Sequence, residues 1–254
     1  MFTNAIVRTP GRSIVEGLSD SKTLGLPNYE QAIIQHQSYI DVLTKCGLDV
    51  LVLEPCEEYP DSTFVEDVAL ITPNCVIITR PGAPSRRGEV HEIEFVLKQK
   101  FNNIEAIEAP GTIEGGDIMM VGDHYYIGLS ERTNIEGAKQ MIQILTKYGM
   151  SGSTISLKNV LHLKTGLSYL EENNLVVCGE FIKDSSLEGY NRIEIPEKES
   201  YAANCIWVNE SVIIPLGYPT TKQRIKNAGY PVIETDVTEF QKLDGGLSCL
   251  SLRY

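Results

Sequence analysis

Several signatures of common chemistry are missing from this 254-residue sequence. Its six cysteines form no CxxC pair, and its four histidines form neither HExxH nor HxH. The usual zinc frameworks are thereby excluded, and no metal is expected. No GxxxxGK[ST] loop is present, so a nucleotide site is not expected either. Basic residues are scarce: 22 Lys and Arg stand against 34 Asp and Glu, for a net charge of −12. That balance argues against a nucleic-acid partner, which requires a basic face. Long apolar runs are lacking; "VIIPLG" is far too short to span a bilayer, so no membrane partner is expected. The opening "MFTNAIVRTPGRS" has no apolar signal-peptide core. The chain is too large to need disulfide staples, and the expectation is a cytoplasmic protein with reduced thiols.

What is present is an ordinary globular composition, 42% hydrophobic and 22% charged, enough for a large core. The acidic surface suits a cationic ligand, although the same charge serves solubility alone. A loose internal repeat organises the chain. "DVALITPNCVIITRPGAPSRRGEVHEIEFVLKQKFNNIEAIEAPG" reads as strand, turn at Pro73-Asn74, strand, loop, helix, strand. "GDIMMVGDHYYIGLSERTNIEGAKQMIQILTKYGMSGSTISL" repeats that order with its turn at Gly122-Asp123, and its helix shows Ala138, Met141, Ile142 and Leu145 at helical spacing. A third unit opens at "TGLSYLEENNLVVCGEF", turning around Asn173-Asn174, without a clear helix. A fourth runs "NCIWVNESVIIPLGYPTTKQRIKNAGYPVIETDV", turning at Asn209-Glu210. The final "LSCLSL" reads as a lone strand. It completes a fifth unit with "NAIVRTP", the helix around "YEQAIIQHQSYIDVLTKCG" and "DVLVLEP". Five modules closed by both termini would protect every sheet edge. An open α/β sheet is the alternative, but hairpins inside each unit weigh against it.

Cys249, five residues from the end, would then lie inside a closed ring. In "LDGGLSC" two glycines precede it and permit close backbone approach. A thiol becomes a nucleophile beside a cation or base, whereas a buried structural thiol is the commoner fate of free cysteine. His36 and His91 lie among polar residues on helices, and His124 at a hairpin tip; all three read as surface residues. His162, in "NVLHLKTGLSYL", is the histidine best placed to carry protons for a nucleophile. Acids recur ahead of the modules: Asp61, Glu66 and Asp67 in "PDSTFVEDVA", Glu114 in "IEGGD" and Asp244 in "LDGG". Turn chemistry explains such residues alone. Several acids meeting at one mouth would instead cradle a guanidinium, whose N–H fork binds carboxylates bidentately. Arg86 and Arg87 in "RPGAPSRRGE" and Arg132 in "GLSERTN" offer grips for an amino-acid carboxylate.

"FVEDVALI", "TRPGAPSRRGE", "IEGGDIMMVG", "GLSERTN", "LHLKTG", "AANCIWVN" and "DGGLSC" together closely resemble the dimethylarginine dimethylaminohydrolase family of the guanidino-group-modifying, or pentein, superfamily. The resemblance runs along essentially the whole chain. It implies a five-bladed α/β propeller of ββαβ modules with pseudo-fivefold symmetry, a single catalytic domain over residues 1–254. It also implies hydrolysis of methylated L-arginine to citrulline and an amine through a cysteine thiouronium, with no cofactor. By motif, Cys249 is the nucleophile, His162 the acid/base and Glu114 its support. Asp61, Glu66 and Asp67 bind substrate, with Glu66 and Asp67 nearest the guanidinium. Arg86 and Arg132 flank the amino-acid end, and the sequence leaves open which of Arg86 and Arg87 faces inward. Leu18 sits in a lid-like loop "VEGLSDSKTLG", Leu243 contacts substrate through its backbone, and Asp244 stands beside it. The competing readings are an arginine or agmatine deiminase, an amidinotransferase, a non-catalytic amino-acid-binding ring and a Cys–His acyl hydrolase. The sequence leaves the oligomeric state open, with a homodimer as the expectation.

Overall fold

Tight turns with left-handed backbone set the hairpins. Asn209 and Glu210 take φ of 45° and 75°, the pair of positive values that a two-residue hairpin turn demands. The third hairpin turns at Glu171–Asn173, all with positive φ, so Asn174 already belongs to the strand and the turn falls earlier than expected. The computed structural model describes residues 1–19 and 22–254. Among them, five three-stranded sheets form. Four are Ala69–Ile71, Val76–Ile78, Ile104–Ala106; Ile118–Val121, His124–Leu129, Ser151–Ser156; Leu167–Tyr169, Asn174–Val177, Asn191–Glu194; and Ile206–Val208, Ser211–Pro215, Val232–Thr235. The fifth joins the termini, with Leu252–Arg253 antiparallel to Asn4–Arg8 and Asn4–Arg8 parallel to Asp49–Leu53.

Every sheet pairs its first two strands antiparallel and its last two parallel. The parallel pairing requires a crossover, which helices supply in four modules: Tyr29–Lys45, Val90–Lys98, Ile135–Lys147 and Pro219–Asn227. Asn28 and Asn134 cap two of them, accepting from Gln31 N and Gly137 N. The third repeat crosses over with two 3-10 turns, Gly179–Lys183 and Ser185–Leu187, that bury Phe181 and Leu187.

Five hydrophobic cores lie between successive modules. One joins Cys75 and Ile77 to Ile127 and Met141, the next Met119 and Ile155 to Leu167 and Val177. Two more join Val176 to Cys205 and Ile214, and Ile6 and Leu252 to Val68 and Ile78. The last joins Ile206 and Val208 to Ala5, Tyr39 and Leu250, so the ring closes on itself. Each module packs its helix on its own sheet and buries further apolar surface against its neighbours, and closure leaves no module unsupported.

The C-terminal segment differs from expectation: only Leu252–Arg253 is strand, and Ser248–Leu250 form a 3-10 turn. Tyr39 Oη donates to Leu247 O, Tyr201 Oη donates to Gly245 O, and the Asn204 side chain both accepts from Ser248 N and donates to Ser248 Oγ. A Cβ on Gly245 would stand 2.3 Å from the Phe64 ring, and one on Gly246 would stand 2.5 Å from Asn204. The glycine pair is therefore what lets this segment dock. Among the described residues no helix is long and apolar enough to cross a membrane.

Candidate active site

Four segments from different modules meet near the middle of the ring, and residues one or two apart in each face different cavities. Asp67, Glu114, His162 and Cys249 line one cavity. Glu66, Gly115, Lys164 and Ser248, each one or two residues away, line a larger one. The approach is close because Gly115 lacks a side chain: a Cβ there would lie 1.9 Å from Glu66 O.

The smaller cavity is acidic and tightly bonded. Glu114 is fully buried; its Oε1 accepts from Gly82 N and Ala83 N, and its Oε2 lies 2.9 Å from His162 Nε2. Burial alone would lower the His162 imidazole. The Glu114 hydrogen bond and the charges of Asp117 and Asp67 overcome it and raise the value to about 9. Asp67 Oδ2 is 2.6 Å from Arg86 Nη1, and its Oδ1 accepts from Gly116 N. Burial opposes ionisation of Asp67, but Arg86 and His162 hold its carboxyl below the usual range. The Cys249 thiol is pushed up to about 12 by burial and by the charges of Asp67 and Glu66, against a smaller opposite pull from Gly246 N–H and Lys164. The site thus carries a neutral thiol and a charged imidazole.

Leu18, Asp61, Arg86 and Arg132 line the same cavity, as do Leu243 and Asp244. Leu18 N donates to Asp61 Oδ1 at 2.9 Å, which ties the Leu18 loop to the site. Asp20 and Ser21 of that loop lie outside the described residues. Asp244 adopts φ of 58°, the left-handed step that turns the chain into Gly245-Gly246.

Three expectations need correction. Glu66 lines the larger cavity and not the smaller. Its Oε1 pairs with Lys164 Nζ at 2.5 Å and lies 3.8 Å from Arg253 Nη2, while its Oε2 is buried with no protein partner. The reason is the alternation of neighbours in the Val65–Val68 turn: with Asp67 aimed at one cavity, Glu66 is aimed at the other. Arg86, not Arg87, faces the smaller cavity; Arg87 Nε donates to Pro81 O. Arg86, however, is buried and directs its guanidinium to Asp67, both oxygens of Glu89 and the Asp61 and Phe64 carbonyls. It anchors an acid first, which leaves Arg132, one-fifth exposed, as the freer cation. Lastly, His36 is buried, not on the surface: it shares the inward face of its helix with Ala32 and Tyr39, and burial lowers it to about 4.

Sequence reasoning missed Glu89, Lys164 and the wall residues Phe64 and Leu161. The spacings were visible: Glu89 falls three residues after Arg86, and Lys164 two after His162. What was not visible is which partner each would meet.

Asp67, Glu114 and His162 each offer one ligand atom within 4.8 Å of the others, a spacing that a metal ion would tolerate. Their donor sets are already engaged with Arg86, Gly116 N, Gly82 N and each other. Both oxygens of Asp67 and Oε2 of Glu114 keep a further lone pair for the edge N–H groups of a flat organic cation, whereas a metal ion bound to His162 Nε2 would have to break its bond to Glu114.

A closed ring of five ββαβ modules, with a thiol, an imidazole and carboxylates from different modules converging on one cavity, defines a pentein of the guanidine-modifying class. The family model described as eukaryotic N,N dimethylarginine dimethylhydrolase matches residues 26–251. The chain is 58% identical to the N(G),N(G)-dimethylarginine dimethylaminohydrolase of Pseudomonas aeruginosa, covering 100% of both chains. It is 30% identical to the enzyme of that name from Streptomyces coelicolor, covering 98% of this chain and 96% of the other. A solved structure of a cysteine-to-serine variant of the Pseudomonas aeruginosa enzyme with citrulline superposes at a TM-score of 0.98, with 58% identity and full coverage of both chains. The N-terminal domain of the cyanobacterial arginine dihydrolase ArgZ, at 21% identity and a TM-score of 0.90 over 100% of this chain and 97% of that one, shares the fold. The chain belongs to the dimethylarginine dimethylaminohydrolase family.

Proposed function

We propose that residues 1–254 act as one catalytic domain that hydrolyses Nω,Nω-dimethyl-L-arginine, and the monomethyl compound, to L-citrulline and the corresponding methylamine. The observation that carries this reading is the convergence of Cys249, His162, Glu114 and Asp67 on one acidic cavity in a chain of this family. The substrate guanidinium is resonance-stabilised and resists water, so it must be held and attacked by something stronger. Asp67 and Glu114 supply acceptors for its N–H groups. Asp61 suits the α-ammonium and Arg132 the α-carboxylate, with the Leu18 loop above them.

The cation brings the missing charge. An opposite charge within about 4–6 Å favours the ionised form, so bound substrate drives the Cys249 proton to solvent. The thiolate attacks the guanidinium carbon, forming a C–S bond. His162, already protonated at neutral pH, gives its proton to the departing dimethylamine as the C–N bond breaks. The resulting S-alkylthiouronium keeps its carbon skeleton on Cys249. Neutral His162 then takes a proton from water, whose oxygen displaces the sulfur and becomes the ureido oxygen of citrulline. A cytoplasmic setting is part of the proposal, supported by six unpaired thiols. Incubation with dimethylarginine, arginine and agmatine, scored for citrulline and the released amine, tests it. Citrulline and dimethylamine from the first substrate are expected; ammonia from arginine alone would assign a deiminase instead.

A further inference from the structure

Asp117 is fully buried and does not line the substrate cavity, yet its side chain bonds to residues one step removed from several that do. Its Oδ2 accepts from Ser130 Oγ at 2.7 Å and Thr133 Oγ1 at 2.6 Å, and its Oδ1 accepts from Leu163 N at 3.0 Å. The remaining bonds fix the proton directions. Ser130 Oγ accepts the N–H groups of Arg132 and Thr133, and Thr133 Oγ1 accepts the N–H of Glu114. Each hydroxyl has a single proton, and in each case it goes to Asp117. Asp117 therefore meets three donors and no acceptor, the environment of an ionised carboxylate, while burial pushes the other way.

Three chains of hydrogen bonds run outward from it. One passes through Ser130 to the backbone of Arg132, one through Thr133 to the backbone of Glu114, and one through Leu163 N to the residue that follows His162. We propose that Asp117 is the positioning residue of the site: it holds Glu114, Arg132 and His162 at one mutual geometry and acts on the reaction only through them. The inference rests on the proposed hydrolysis for its kinetic consequences, but its structural consequences stand without turnover.

Its charge has a second effect. His162 is faced by Glu114, Asp67 and Asp117, shares its cavity with Cys249, Asp61, Asp244, Arg86 and Arg132, and stands two residues before Lys164. Asp117 is the acid in that set that does not meet the substrate, so the imidazole titration reads its charge directly, while KM reads its hold on Arg132 and Glu114. Asp117→Asn cannot preserve the network. Whichever way the amide turns, its NH₂ meets either two hydroxyl protons or the Leu163 N–H.

The test needs no substrate at first. In ¹⁵N-histidine spectra of the free protein, the His162 titration in Asp117→Asn is expected about one unit below that of the unaltered protein. The KM for dimethylarginine is expected to rise about tenfold, the loss of roughly one well-made hydrogen bond at the carboxylate end. Thr133→Val keeps the Asp117 charge and removes one strut. It is expected to raise KM severalfold with the His162 titration in place, a split that simple destabilisation would not give. A folded Asp117→Asn protein with both the titration and KM unmoved overturns the inference. If that variant does not fold, an unchanged KM in both Thr133→Val and Ser130→Ala overturns it instead. A titration shift in a protein that releases no citrulline would sink the proposed hydrolysis and leave the Asp117 assignment standing.

Discussion

His162 Nε2 and Glu114 Oε2 stand 2.9 Å apart beneath a cavity shared with Cys249. Their contact separates this site from a Cys–His pair that ionises itself. There the thiol gives its proton to the imidazole and both are charged at rest. Here the imidazole already holds a proton up to about pH 9, and the sulfur keeps its own up to about pH 12. The positive charge that activates sulfur has to arrive with the substrate.

The first consequence is a pH dependence with a definite sign. His162 acts as an acid, so kcat/KM should fall as pH rises through about 9. Its contribution to stability follows the same proton. The folded value of about 9 lies above the unfolded value of 6.5, so the stabilisation is complete below pH 6.5 and lost as pH rises through about 9. That difference corresponds to about 3 kcal/mol. The Tm gap between the unaltered protein and His162→Asn should therefore be larger at pH 6 than at pH 10; a gap independent of pH would contradict the assignment.

Reactivity of the free thiol gives a second check. With Cys249 held neutral by burial and by Asp67 and Glu66, iodoacetamide should modify it slowly at pH 7. The rate should climb with pH without levelling off below pH 10. A plateau reached by pH 8 would mean that the thiolate exists before substrate binds.

Lys164 and Glu66 form a buried pair whose two halves are unequal to lose. Lys164→Met leaves Glu66 with the longer Arg253 pair at 3.8 Å, and a cost of about 2–3 kcal/mol is expected from a buried carboxylate that has lost its closer partner. Glu66→Gln added to it should restore most of that. Denaturant midpoints for the two single variants and the double measure the coupling; additive losses would show that the pair is not coupled.

The ring itself was legible in the sequence, because hairpin turns and helical periods are local. "PNC", "VGDH" and "VNES" each announce a tip within two strands, and Ala138, Met141 and Leu145 announce a buried helix face. The third repeat was ambiguous for the same reason: its crossover is two short 3-10 turns with no helical period to read. The members of the site were legible through their motifs, but their orientations were not. Glu66 and Asp67 are adjacent in sequence and differ only in the cavity they face, which depends on the Gly115 backbone pressing against Glu66 O. Arg86 and Arg87 could not be told apart until Glu89 and Asp67 were placed around one of them. His36 reads as polar among Gln and Ser, and only the packing against Phe240 turns it inward.

Arg132 should decide selectivity at the amino-acid end. Its guanidinium is partly exposed and stands 3.8 Å from Glu114, close enough to orient and loose enough to meet a ligand. Arg132→Met should raise KM for dimethylarginine by about 10–100-fold, the loss of a charged hydrogen bond. Binding of agmatine, which has no carboxylate, should change little. Equal losses for both ligands would place the carboxylate elsewhere.

The most direct measurement is rapid acid quench of the protein with dimethylarginine, followed by mass spectrometry of the C-terminal peptide carrying Cys249. The account predicts a transient adduct on that cysteine, equal in mass to the substrate less dimethylamine, together with stoichiometric early release of dimethylamine. Steady production of citrulline with no adduct at any quench time, or an adduct-free Cys249→Ser variant that still turns over, would contradict it.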